Sequence, residues 1–299
     1  MAAQSDTRKP DWLKVKIPSG QNFQKIQQHR IHGQLATVCE EANCPNLGDC
    51  WKSGTATFML MGDTCTRGCR FCAVDTAKNP PPLDRLEPSK LADVVKDLKL
   101  EYVVLTTVDR DDLPDQGSNH IIECVETIQN ANPGIIVEIL IPDFQGQADL
   151  IANVAQSGAQ VIGHNLECTR SLTPKVRDHR ASYDQSLQVL RILKQAAPDK
   201  YTKSSIMLGF GETESEILEC MQDIKDTAAD FLTLGQYLQP NKRKLPVIEY
   251  VHPDQFKWYE ERGLEMGFKY VASGPLVRSS YKAGENFVQT LLKKQSTHS

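Results

Sequence analysis

Short β-branched apolar runs alternate with amphipathic helical stretches from about Thr57 to Ala272, and this alternation confines the chain to a parallel α/β architecture. The runs predict strands at Thr57–Met61, Tyr102–Thr106, Ile135–Ile141, Gln160–His164, Ser204–Leu208 and Phe231–Leu234, with a weaker one at Tyr270–Ala272. Several are apolar nearly throughout, as a parallel strand covered on both faces must be. Between them, Leu91, Val94, Val95 and Leu98 share a helical face, as do Ala148, Ile151, Ala152 and Ala155. Capping boxes are expected at Ser182 with Gln185 and at Thr213 with Glu216. Right-handed crossovers then give about six βα units, short of the eight of a closed barrel. The expected fold is therefore α/β, a partial (β/α)6-type barrel over residues 57–275. It is flanked by an N-terminal extension (1–56) and a C-terminal extension (276–299). A doubly wound open sheet is the rival. Pro80-Pro81-Pro82 predicts a stiff link between the first strand and its helix.

Cysteine usage carries the chemistry. The chain has 9 cysteines in 299 residues, an odd number, and six of them fall between Cys39 and Cys72. Met1–Gly20 has no apolar stretch resembling a secretory signal, so the cluster reads as a metal site in a reducing compartment and not as a disulfide framework. The balance of 34 basic and 38 acidic residues, net −4, argues against nucleic-acid binding. No apolar run reaches the roughly 18 residues of a membrane span. Cys65, Cys69 and Cys72 form C-x3-C-x2-C directly after the first strand. Three thiolates can hold three irons of a [4Fe–4S] cube and leave the fourth open to a ligand. A loop at that strand end lies where active sites of parallel α/β folds collect. Zinc sites, the rival, more often use paired C-x2-C units with four ligands. Cys39, Cys44 and Cys50 form a second group, C-x4-C-x5-C, which reads as metal binding of some kind, a zinc knuckle included. Cys124 and Cys220 sit in helical patterns as small hydrophobes, and Cys168 is an expected oxidation liability.

The C-x3-C-x2-C loop, with Phe71 before its last cysteine, resembles the signature of the radical S-adenosylmethionine superfamily. With Cys39, Cys44 and Cys50 upstream, the chain resembles the lipoyl synthase family. Further matches are Glu41-Ala42-Asn43-Cys44-Pro45-Asn46, Gly62 to Cys72, Val108 to Leu113, Gly235 to Pro240 and Arg278-Ser279-Ser280-Tyr281, so the likeness runs from about Asp11 to Tyr281. It implies two [4Fe–4S] clusters and S-adenosylmethionine as cofactors. Cys65, Cys69 and Cys72 hold the cluster that reductively cleaves S-adenosylmethionine to a 5′-deoxyadenosyl radical. Cys39, Cys44 and Cys50 hold an auxiliary cluster that donates sulfur, and both extensions carry it. Its fourth ligand in the family pattern is a serine, placed at Ser280 with Ser279 as the alternative. The implied reaction puts sulfur at C6 and C8 of an octanoyl group on a carrier-protein lysine.

The same resemblance implies softer site residues. Phe71, Asn165 and Glu167 are expected near S-adenosylmethionine, Arg177 and Arg180 at its carboxylate, and Gly209 in a glycine-rich backbone contact. The bland alternatives are a helix cap for Asn165 and Glu167, and surface arginines. Asp109-Arg110-Asp111-Asp112 reads either as a polar network beneath the site or as a solvated charge run. Expected partners are octanoylated carrier domains (2-oxoacid dehydrogenase E2 subunits and the glycine cleavage H protein) and an electron donor such as flavodoxin or ferredoxin. Nucleic acid and membrane are not expected partners. Lys242-Arg243-Lys244 is a candidate docking patch. The expected location is cytoplasmic, with an organelle matrix or stroma as the alternative. Rival functions are a biotin-synthase-like enzyme, an iron–sulfur carrier and a zinc-binding interaction module.

Overall fold

Alternation within the strands sorts side chains into two sets, and the sheet curves around one of them. The computed structural model describes residues 9–14, 24, 27–28, 35–41, 44, 46–52 and 57–279. Its main sheet has eight strands: β1 (Ala36–Thr37), β2 (Thr57–Leu60), β3 (Tyr102–Thr107), β4 (Ile136–Leu140), β5 (Val161–Gly163), β6 (Tyr201–Leu208), β7 (Phe231–Gln236) and β8 (Tyr270–Gly274). Spatial order follows chain order, and every pair from β2 to β8 is parallel. A doubly wound sheet would reverse its order at a switch point, so the partial-barrel expectation holds. Only β1 runs antiparallel, with Ala36 opposite Met59.

Six helices cross between the strands: α1 (Glu87–Asp97), α2 (Ser118–Ala131), α3 (Ala148–Ala155), α4 (Tyr183–Ala196), α5 (Glu214–Lys225) and α6 (Pro253–Glu265). Outward residues Phe58, Leu60, Val103, Leu105, Val137 and Ile139 pack with Leu91 and Val95 of α1 and Ile121, Val125 and Ile128 of α2. Ile206, Leu208, Leu232, Leu234 and Val271 do the same against α4, α5 and α6. The inward set includes Met59, Thr106, Leu140, Ser205 and Met207, which line a cavity. Tyr102, Val104, Val161, Tyr201 and Phe231 fill the other end of the barrel, the Tyr201 and Phe231 rings stacked at 5.0 Å. The floor is thus plugged, and the cavity lies towards the carboxyl ends of the strands. No helix of the described residues is long and apolar enough to cross a membrane.

The strands differ from the expected bounds in one instructive place. β6 starts at Tyr201, not Ser204, because Lys203 is buried inside the barrel against Glu138 of β4 at 2.5 Å. Thr213 and Glu216 make the expected reciprocal box, whereas at Ser182 only half of it forms, the hydroxyl accepting from Gln185 N. The α3 face is Ile151, Val154 and Ala155, Ala148 being exposed.

Candidate metal and cofactor site

The cavity, about 320 Å³, takes its walls from strands β2 to β7 and from the segments flanking the barrel. The cysteine loop leaves β2 through Met61, whose backbone sits at φ 69° and whose N–H donates to Glu87 of α1 at 2.9 Å. His120 of α2 meets the same Glu87 oxygen at 2.6 Å, so two helices brace the loop entrance. Thr64–Cys65 pairs with Asp75–Thr76 and closes the loop on itself. Cys65 Sγ then accepts N–H groups from Arg67 (3.4 Å) and Asp109 (3.3 Å), and Cys69 Sγ accepts one from Asp178 (3.3 Å). Cys72 accepts one from Val74. Amides aimed at sulfur favour thiolate, the ligand form, and help set the properties of an iron–sulfur centre. Burial pushes the free Cys65 and Cys69 thiols up to about 12, so metal binding must release their protons.

A charged network sets the loop on the strand ends. Arg67 lies between Cys65 and Cys69 with its side chain only 2% exposed. It donates to Asp111 at 2.7 and 2.9 Å, to Asp143 after β4 at 2.7 Å, and faces Asp109 at 3.4 Å. Of the two readings of Asp109–Asp112, the network is the one formed; Arg110 and Asp112 pair separately at 2.8 Å. Asp178 accepts Gly68 N–H at 2.8 Å while its own N–H serves Cys69. Sequence reasoning missed Arg67, Asp143 and Asp178 as parts of the site. An arginine between two cysteines was the only local signal.

One of the N-terminal cysteines, Cys44, reaches the same cavity by another route. β1 is zipped along β2 and places Cys39, 5% exposed, in the turn Val38–Glu41. Cys44 N–H returns to Cys39 O at 3.0 Å, and Cys50 sits in the short helix Leu47–Lys52. Cys44 lines the cavity with Val277, Arg278 and Ser279 from beyond β8. Asn46 Nδ2 donates to Leu276 O at 2.5 Å, so the two extensions meet. Ser280 lies outside the described residues. Among the described residues, the only trio of metal-ligating atoms all within 4.8 Å is Glu87, His120 and Cys124, so neither expected triad is drawn up around a single ion.

Two family models match the chain: the radical SAM superfamily over residues 59–224, and the N-terminal domain of lipoyl synthase of that family over residues 1–44. The mitochondrial lipoyl synthase of Culex quinquefasciatus is 57% identical over 298 residues, covering 98% of this chain and 78% of that one. The chain belongs to the lipoyl synthase family. A Toxoplasma gondii relative, named as an apicoplast lipoyl synthase, is 52% identical across 97% of this chain and 55% of its own. The fold is shared with the FeFe-hydrogenase maturase HydG from Carboxydothermus hydrogenoformans, with a TM-score of 0.55 and 12% identity over 91% of this chain and 78% of that one. The Streptococcus suis protein SuiB bound to its precursor peptide SuiA gives a TM-score of 0.56 at 12% identity, over 88% and 58%. Membership brings S-adenosylmethionine and [4Fe–4S] clusters as the cofactors.

Within this lipoyl synthase fold, Phe71, Asn165, Glu167 and Arg177 all line the cavity. Asn165 donates to Glu167 at 3.1 Å, and Glu167 sits at φ 72°, a strained backbone of the kind found at functional sites. Arg177 donates to Ser186 at 2.6 Å, yet its Nε is buried without an acceptor, which suits a ligand carboxylate. His164 joins Ser186 and Ile141 O, each at 3.0 Å; burial, aided by Arg177, pulls its imidazole down to about 4, so it is neutral. Two further expected site residues already carry partners within the protein. Arg180 is not on the cavity wall: its guanidinium is tied to Asp178, Asp111 and Thr66 O, bracing the cysteine loop. Gly209 is not a free backbone contact either. Its N–H binds Glu212, its carbonyl accepts from Ile248 and Glu249, and at φ 111° a Cβ would lie 2.6 Å from Glu249 O. Cys168 is 1% exposed, so burial removes the oxidation liability.

Proposed function

We propose that this chain makes lipoyl groups, inserting two sulfur atoms at C6 and C8 of an octanoyl group held on a carrier-protein lysine. One observation supports this above all: residues of two separate cysteine groups, one on the barrel and one on the extensions, face a single cavity. When bound, S-adenosylmethionine with the loop cluster supplies a carbon radical able to take hydrogen from an unactivated C–H bond, and the auxiliary cluster supplies sulfur. In our reading Cys65, Cys69 and Cys72 hold the first centre, while Cys39, Cys44, Cys50 and Ser280 hold the second, Ser279 being the alternative. The C-x3-C-x2-C spacing, in place of paired C-x2-C units with four ligands, favours an iron–sulfur centre over zinc. Arg177 receives the S-adenosylmethionine carboxylate on its open Nε. Asn165 and Glu167 bind its ribose or amino end, and Phe71 packs on it from the apolar side with Tyr237. A biotin-synthase-like enzyme would disperse its second ligand set among barrel strands, whereas here that set precedes β2.

Carrier domains of E2 subunits and of the glycine cleavage H protein are the proposed substrates, with flavodoxin or ferredoxin as reductant. The basic loop Lys242–Lys244 supports docking at the mouth, since Leu245 N–H binds Arg70 O in the cysteine loop. The relatives' names, mitochondrial and apicoplast, favour an organelle over the cytoplasmic expectation. The deciding experiment incubates anaerobically reconstituted protein with S-adenosylmethionine, reductant and an octanoylated carrier domain. Lipoyl product with two 5′-deoxyadenosines per group supports the reading. Intact S-adenosylmethionine would point to an iron–sulfur carrier instead.

A further inference from the structure

The proposed chemistry uses no charge deep in the barrel, yet an ion pair is built there. Glu138 of β4 and Lys203 of β6 are each 7% exposed and line the cavity, with Lys203 Nζ 2.5 Å from Glu138. Tyr102 donates its hydroxyl to the other Glu138 oxygen. Gly163, opposite Lys203 on the intervening strand β5, presents no side chain between them. Below lies the plug of Tyr201, Phe231 and Val161. Above, Met59, Leu140 and Met207 give the wall apolar character. The fold does not require the pair, because a buried ion pair replaced by well-packed apolar residues is often neutral or stabilising.

We infer that Glu138 and Lys203 form a polar floor that sets the length of acyl chain the cavity accepts. The inference rests on the function proposed above. A folded carrier cannot enter the barrel, so the methyl end of its acyl-lysine is the part that goes deepest. Methylenes gain by burial against the apolar walls, but a chain long enough to press on the floor must desolvate a charged pair that offers it no compensating contact. The floor therefore stops the chain and keeps its last carbon in a fixed place relative to the cysteine loop.

The test measures binding of octanoyl- and decanoyl-lysine peptides to the reconstituted protein by calorimetry, beside lipoyl formation on the octanoyl carrier. Two more buried methylenes would ordinarily tighten binding roughly 10-fold. The unaltered protein is expected to show no such gain, binding decanoyl no better than octanoyl. Glu138→Val with Lys203→Val removes both charges together, opens space and keeps strand-favouring residues, so decanoyl should gain most of that factor. A full gain already present in the unaltered protein overturns the inference without any variant. So does a folded, cluster-replete double variant with an unchanged length ratio. Failure of the unaltered protein to convert the octanoyl carrier at all would instead overturn the proposed function.

Discussion

The barrel cysteines and the N-terminal Cys44 face one cavity, but the two cysteine groups are held in different ways. Cys65, Cys69 and Cys72 sit in a loop fastened to other strand ends: amides from Asp109 and Asp178 reach their sulfurs, and Arg67 joins three carboxylates. Among the described residues, Cys39, Cys44 and Cys50 are carried by a two-residue antiparallel strand, by Cys39 and Trp51 packed into the core beside β2, and by the contact of Asn46 with Leu276 between the extensions. A centre that must survive every turnover benefits from the first kind of holding. A centre that gives up its sulfur must be taken apart and rebuilt, and ligands carried outside the barrel allow this without disturbing the first.

The largest effect should come from separating the two groups. Changing Cys65, Cys69 and Cys72 to Ala is expected to abolish 5′-deoxyadenosine formation and leave iron and sulfide for one cluster. Changing Cys39, Cys44 and Cys50 to Ala should preserve 5′-deoxyadenosine formation while abolishing lipoyl product. Loss of 5′-deoxyadenosine only in the second variant would reverse the assignment.

Arg67→Met comes next. It leaves Asp109 and Asp143 without this cation and Asp111 with Arg180 alone. Removing one partner of a buried ionic group costs about 3–5 kcal/mol, to be read from urea unfolding of the cluster-free protein. S-Adenosylmethionine cleavage should fall with it, whereas the iron of the N-terminal centre should persist. Unchanged unfolding would mean that the network does not secure the loop.

Gly235→Ala probes the other holding. A Cβ there would lie 2.1 Å from Val277 O, so the segment beyond β8 must shift. The expected result is selective loss of auxiliary iron and lipoyl product, with 5′-deoxyadenosine formation within about 3-fold of the parent, since a backbone displacement outside the barrel leaves the cysteine loop packed. Equal loss from both centres would show that they are not held independently.

The smallest effect is expected at the floor of the barrel, far from both centres. Burial pushes the Asp230 carboxyl up, but Lys194, Lys269 and the Thr202 amide outweigh it and hold it below the usual range. A depressed carboxylate contributes stability above its unfolded value, near 4, and loses it as pH falls towards the folded value. Asp230→Asn should therefore cost about 1–3 kcal/mol at pH 7, with the gap from the parent shrinking below about pH 4. Iron content measured at pH 7 should not move.

Much of this was legible in the chain because the signals are local. The apolar run expected at Tyr102–Thr106 and the hydroxyl caps at Ser182 and Thr213 depend on near neighbours, and the strand forms one residue longer while both hydroxyls accept as caps. The cysteine spacings identified both groups before any fold was known. Gly209 and Arg180 looked available in sequence, yet each carries partners both near and far along the chain: Glu212 and Glu249 for Gly209, Asp178 and Asp111 for Arg180.

The sequence by itself determined the βα winding, the two cysteine groups and the family, because periodicity and spacing are written over a few residues at a time. Only the tertiary structure decided what faces the cavity. Lys203 and Glu138 are 65 residues apart, and Arg67 and Asp143 are 76 apart. A buried charge is tolerable only beside its counter-charge, and nothing local to either residue says where that partner will be.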